Sequence, residues 1–152
     1  MKLSENSPAP DFTAEDQHGK KHSLQQYRGR WVLLFFYPKD STPGWTKEVC
    51  QIRDNFDELE PKAVILGVSA DSIASHAKFA SKHDLPFSLL ADPQKEIIKS
   101  YGASGILFTK RCSFLINPEG NIAKIYESVT PSKHAKEVLE DLIAFEKATS
   151  EE

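Results

Sequence analysis

Two cysteines, one methionine and seven glycines are all that 152 residues hold of these types. A pair of cysteines is too few for the disulfide scaffold of a small secreted domain. No apolar run approaches the roughly 18 residues of a membrane span; the longest is Trp31 to Tyr37. Positive charge is not in excess: the net charge is −3 and the pI about 6.0, which speaks against a nucleic-acid partner. Met1 to Asn6 shows no apolar leader, so no membrane association and a cytoplasmic, reducing location are expected. The five histidines show no metal-ligand spacing; His18 and His22 are four apart, but in a turn-rich segment. Neither a glycine-rich phosphate loop nor a Gly-x-Ser-x-Gly elbow is present. No metal and no cofactor are expected.

What remains is material for a core. Hydrophobic residues make up 39% and charged residues 27%, which fits one domain over residues 1–152, with a polar tail at 149–152 expected to fray. Trp31 to Tyr37 is continuously apolar, as a strand covered on both faces would be. Apolar residues then recur at Trp45, Val49, Ile52, Phe56 and Leu59, one stripe of a helix that Pro61 stops. Ala63 to Ser69 reads as a second buried strand, about Ile73 to His83 as a helix with Ala77, Phe79 and Ala80 inward, and Phe87 to Leu90 as a third strand. Asp92 caps a helix that has Pro93 at its first position and runs to about Tyr101. Arg111 to Ile116 and Ile122 to Tyr126 flank a Pro-x-Gly turn and form a hairpin. A last helix starts near Ser132 and buries Val138, Leu139, Leu142, Ile143 and Phe145. Lys21 to Ser23 is a short edge strand. Strands alternating with helices, then a hairpin and a helix, give an α/β domain with a mixed sheet flanked by helices, compatible with a thioredoxin-like fold.

The chemistry concentrates where the first long strand hands over to its helix. A loop rich in proline and glycine, Lys39 to Gly44, leads straight into a helix start. The first turn of a helix offers unpaired N–H groups and partial positive charge. A cysteine there loses its proton easily and becomes a nucleophile at neutral pH. Position 45 is that place, and it holds Trp45.

Residues 38 to 50, Pro38-Lys39-Asp40-Ser41-Thr42-Pro43-Gly44-Trp45-Thr46-Lys47-Glu48-Val49-Cys50, resemble the active-site loop of a peroxiredoxin. Within that family they are similar to the PrxQ or bacterioferritin-comigratory-protein group, whose motif reads Thr-Pro-Gly-Cys-Thr-x-Glu-x-Cys. Every fixed position matches except the central cysteine. The resemblance extends to Pro8-Ala9-Pro10-Asp11-Phe12, Asp92-Pro93, Tyr101-Gly102 and Arg111-x-Ser113-Phe114-Leu115-Ile116. It implies a thiol peroxidase that reduces hydrogen peroxide and organic hydroperoxides and is itself reduced by thioredoxin or a similar dithiol, as a monomer or weak homodimer. It also implies roles by position. The first cysteine attacks the peroxide bond and becomes a sulfenic acid. Thr42 hydrogen-bonds peroxide or thiolate, Pro38 shields the thiolate from water, and Arg111 supplies positive charge. Backbone N–H groups near Gly44 and Trp45 hold the second oxygen. Cys50 is the resolving cysteine, which closes an intramolecular disulfide.

Trp45 contradicts turnover by this chain, because indole has no thiolate to oxidise. Three origins of the tryptophan stand open: replacement of a cysteine, a natural non-catalytic relative acting as a binding or sensing protein, and a decoding change, since tryptophan is one base from cysteine and selenocysteine. Trp45 also lies on the apolar stripe and could be core. Cys50 lies off the stripe, Cys112 reads as a small hydrophobe, Thr42 alone could be a helix cap, and Arg111 alone could be an ordinary ion-pair partner. Positions 45 and 50 cannot be bridged across an intact helix. Five residues rise roughly 7.5 Å and turn roughly 140°, whereas a disulfide wants Cα atoms within about 7 Å. The helix is therefore expected to hold through Cys50.

Overall fold

The structure is a computed structural model that describes residues 3–40, 43–105, 108–130 and 133–150. The chain opens on a two-stranded antiparallel hairpin, β1 (Thr13–Glu15) and β2 (Lys21–Ser23), and then builds a five-stranded sheet. Its strands are β3 (Trp31–Phe36), β4 (Ala63–Ser69), β5 (Ser88–Ala91), β6 (Cys112–Ile116) and β7 (Ile122–Tyr126), in the spatial order β5-β4-β3-β6-β7. β3, β4 and β5 run parallel, while β6 and β7 are antiparallel to their neighbours. The helices are α1 (Pro43–Asp54), α2 (Phe56–Leu59), α3 (Ile73–His83), α4 (Glu96–Ser100) and α5 (His134–Ser150). This is the mixed, helix-flanked α/β sheet expected of the sequence.

β3 is central because both of its faces are covered. Leu33, Phe35 and Tyr37 point to a core shared with α1, α3 and α5. Val32, Leu34 and Phe36 point to a second core, formed with Phe12, Leu24, Ile97, Ile98 and Tyr101. Each such large side chain contributes about 1.5–3 kcal/mol by leaving water.

The elements depart from the sequence pattern at defined places. The helix expected from Trp45 to Leu59 breaks at Asn55 (φ −106°), where the side-chain amide donates to the Gln51 carbonyl at 2.7 Å and competes with the backbone. The helix expected from Pro93 begins at Glu96. Pro93 lies in a turn closed by the Lys95 N–H on the Asp92 carbonyl, and Lys95 is left-handed (φ 60°). Asp92 still reaches the helix, accepting the Ile98 N–H at 2.9 Å. In α3 the inward place is taken by His76, and Ala77 is only half-buried. α5 buries His134, Ala135, Val138 and Leu142; Ile143, one residue around from Leu142, is 48% exposed. Leu139 and Phe145 are half-buried, and α5 runs to Ser150; the rest of the 149–152 tail lies outside the described residues. Ser132 lies outside the described residues.

Both edges of the sheet are occupied. Gln17 reaches β5 and pairs with it like a strand: its amide donates to Phe87 O at 3.0 Å and accepts from Leu89 N at 2.8 Å. On the other side Ser7 O accepts from Ile122 N at 2.8 Å, Asn6 N donates to Ile122 O at 2.6 Å, and the Glu5 carboxylate accepts from Ile125 N at 3.1 Å. Among the described residues no helix is long and apolar enough to cross a membrane.

Candidate active site

β3 ends at Phe36, and the chain passes Tyr37, half-buried Pro38 and buried Asp40 before α1. Thr42 falls outside the described residues. Pro43 and Gly44 open α1, so residue 45 stands in its first turn. Trp45 is fully buried. Its ring lies flat on Tyr37, with centroids 3.7 Å apart and planes 5° apart, and meets the edge of Phe35 at 6.4 Å. Phe79 closes the far side at 6.5 Å. Gly67 on β4 makes the room: a Cβ there would stand 3.3 Å from Tyr37 Cε1 and 3.5 Å from Trp45 Cη2. The indole Nε1 is buried with no hydrogen-bond partner.

One helical turn further on, Glu48 is 2% exposed, and its Oε1 also has no partner. Burial pushes its carboxyl up to about 8, against the pull of the Arg111 guanidinium. Arg111 sits just before β6, half-buried, and its positive charge is felt at Glu48. Glu48 enters the sequence reading only as a fixed motif letter. The available signal was a carboxylate next to Val49 on the apolar stripe, three residues from position 45.

The two thiols lie in different surroundings. Cys50 is half-buried at the margin of the core that holds Trp45, and its thiol is free. α1 is unbroken from 45 to 50. Cys112 is buried in the opposite core, and burial pushes its thiol up to about 11, which leaves little thiolate at neutral pH.

Beneath Tyr37 lies a polar network that the sequence reading did not foresee. The Tyr37 hydroxyl donates to Asp40 Oδ1 at 2.9 Å. Asp40 Oδ2 takes Ser75 Oγ at 2.9 Å and His76 Nδ1 at 2.8 Å. His76 Nε2 donates to the Leu90 carbonyl at 3.0 Å, and the Asp40 N–H donates to Asp71 Oδ2 at 2.8 Å. Asp40, Asp71 and His76 offer ligand atoms within 4.8 Å of one another, but both carboxylate oxygens of Asp40 and both ring nitrogens of His76 are already engaged. His76 thus faces an acceptor on each side. No helical or metal periodicity marks this set, because its members come from three segments.

Comparison with known proteins adds to this geometry. A family model described as the AhpC/TSA family matches residues 6–125. Peroxiredoxin Bcp of Bacillus subtilis is 36% identical over 151 residues, covering 93% of this chain and 96% of its own length. Chloroplastic peroxiredoxin Q of Arabidopsis thaliana is 40% identical over 148 residues, covering 94% of this chain and 68% of its own length. Among solved structures, BcpB of Mycobacterium tuberculosis superposes with a TM-score of 0.87 at 31% identity, covering 93% of this chain and 97% of that one. The bacterioferritin comigratory protein of Xanthomonas campestris, described for its alkyl peroxide reduction activity, superposes with a TM-score of 0.84 at 31% identity, covering 88% and 91%.

Proposed function

The chain belongs to the AhpC/TSA family, on its peroxiredoxin Q and Bcp branch, and from that premise we propose that the start of α1 is a thiol-peroxidase site whose nucleophile is replaced by Trp45. Members of this branch are oxidoreductases that reduce peroxides through a cysteine. The substrates in this reading are hydrogen peroxide and organic hydroperoxides, the latter in keeping with the Xanthomonas relative, and the reductant is thioredoxin or a similar dithiol. One observation carries the assignment: the Arg111 guanidinium acts on Glu48, one turn from position 45, at the opening of a helix.

A thiolate at position 45 would attack the peroxide O–O bond, leaving a sulfenic acid and releasing alcohol or water. Arg111 would stabilise the charge that develops. Pro38 would hold water off, and Thr42 with the N–H groups of residues 44 and 45 would orient the oxygens. Cys50 would then displace hydroxide from the sulfenic sulfur and form a disulfide, once the first turns of α1 unwind. Trp45 cannot enter this cycle.

The test is peroxide-dependent oxidation of reduced thioredoxin. The chain itself is expected to show none, and Trp45→Cys to turn over. Turnover by the Trp45 chain, or silence of Trp45→Cys, overturns the assignment. A second reading, a non-catalytic binding or sensing protein, draws on the close fit of the indole against Tyr37 and Gly67. It expects Trp45→Cys to stay silent. A cytoplasmic place, a single domain and a monomer or weak homodimer accompany the first reading; sedimentation at micromolar concentration tests the last.

A further inference from the structure

Tyr37 and Trp45 are both fully buried, and their rings are in face-to-face contact at 3.7 Å. We propose that this pair is a one-electron relay, in which an oxidising equivalent delivered by an alkoxyl radical is taken up at Trp45 and settles on Tyr37 as a neutral tyrosyl radical, the phenolic proton passing to Asp40. The inference does not depend on the peroxidase reading, since it uses no thiol.

Four features of the structure fix the direction of transfer. The stacked rings leave no gap for the electron to cross. Trp45 Nε1 has no hydrogen-bond acceptor, so an oxidised indole cannot shed its proton to a neighbour and stays a strong oxidant. The Tyr37 hydroxyl, by contrast, already donates to Asp40 Oδ1 at 2.9 Å, and Ser75 and His76 hold that carboxylate in place. Burial, with the negative charge of Asp40, raises the Tyr37 phenol well above its ordinary value, so no phenolate forms beforehand and proton and electron leave together.

The balance closes in two steps. The alkoxyl radical, a one-electron cleavage product of an organic hydroperoxide, takes one electron from Trp45 and one proton from water and becomes an alcohol. The Trp45 radical cation then takes one electron from Tyr37, whose O–H bond breaks as its proton moves to the Asp40 carboxylate. The indole is restored, and the products are a tyrosyl radical and a carboxylic acid. Full burial of Tyr37 keeps that radical from coupling with a second phenol in solution. Trp31, the other indole, stacks on Phe145 at 5.1 Å, which offers no proton-coupled donor.

Pulse radiolysis of the full chain with azide radical as the oxidant tests the relay, in a Trp31→Phe background that leaves Trp45 as the only indole. The indolyl radical-cation signal is expected to decay as a tyrosyl signal rises at the same rate. Adding Tyr37→Phe keeps the ring and the stack, and is expected to abolish that tyrosyl rise and leave a long-lived indolyl signal. Adding Asp40→Asn is expected to slow the tyrosyl rise; Tyr37→Phe decides alone if that variant does not fold. An undiminished tyrosyl signal in Tyr37→Phe overturns the proposal. So does indolyl decay without a tyrosyl rise, or the absence of any indolyl signal from Trp45.

Discussion

Two groups of buried polar atoms flank Tyr37 and are treated in opposite ways. Below the ring, Asp40 and His76 have every hydrogen-bonding atom engaged. Above it, in the first turns of α1, Trp45 Nε1 and Glu48 Oε1 are buried with no partner. A buried polar atom without a partner costs about 1–3 kcal/mol, so the second group is a cost to the fold. The lesson is one of division of labour. The satisfied network pins the loop to α3 and β5, and the unsatisfied turn carries the cost.

The contrast is broken most directly at Asp40. Asp40→Ala leaves His76 buried without its carboxylate, and a loss of about 3–5 kcal/mol is expected in urea unfolding. Adding His76→Ala completes a cycle: the double variant should be less destabilised than the two single losses summed, by about 1–3 kcal/mol, if the pair acts as a unit. Tyr37→Phe removes one hydrogen bond to that carboxylate and should cost about 1–2 kcal/mol. On the unsatisfied side the sign reverses, and Glu48→Gln at pH 8 is expected to be neutral or stabilising in the same assay.

The pH dependence sharpens the same contrast. The Glu48 carboxyl is raised to about 8 in the fold from an ordinary value of 4.5. Between these limits the folded state binds more protons than the unfolded chain, so Glu48 makes stability fall as pH rises from 4.5 to 8 and level off above. Glu48→Gln should remove that slope from a series of urea midpoints. Arg111 lowers the Glu48 value, so Arg111→Met should carry the slope to higher pH.

Much of the fold was legible because burial leaves a period in the sequence. β3 and β4 are continuous apolar runs, and α3 falls at Ile73–His83 where the pattern put it. What failed did so for local reasons. Asn55 breaks an apolar stripe that itself continues, and the Asp92 to Lys95 turn delays a helix whose cap is still Asp92. For the site, position 45 and Arg111 stood out because a motif surrounds them. Glu48 is visible only as a motif letter, and His76 has no metal spacing to mark it. Its partner Asp40 is 36 residues away, and no pattern within one segment records such a pairing.

The edge contacts described with the fold bear on how this protein behaves under stress. Both flanks of the main sheet are sealed by groups from the first 17 residues, namely Glu5, Asn6 and Ser7 on β7 and Gln17 on β5. An uncovered strand flank is a template on which further copies can polymerise. The amino-terminal stretch therefore doubles as a guard against fibrils, and a nick or fraying there would expose both growth fronts while leaving α1 untouched.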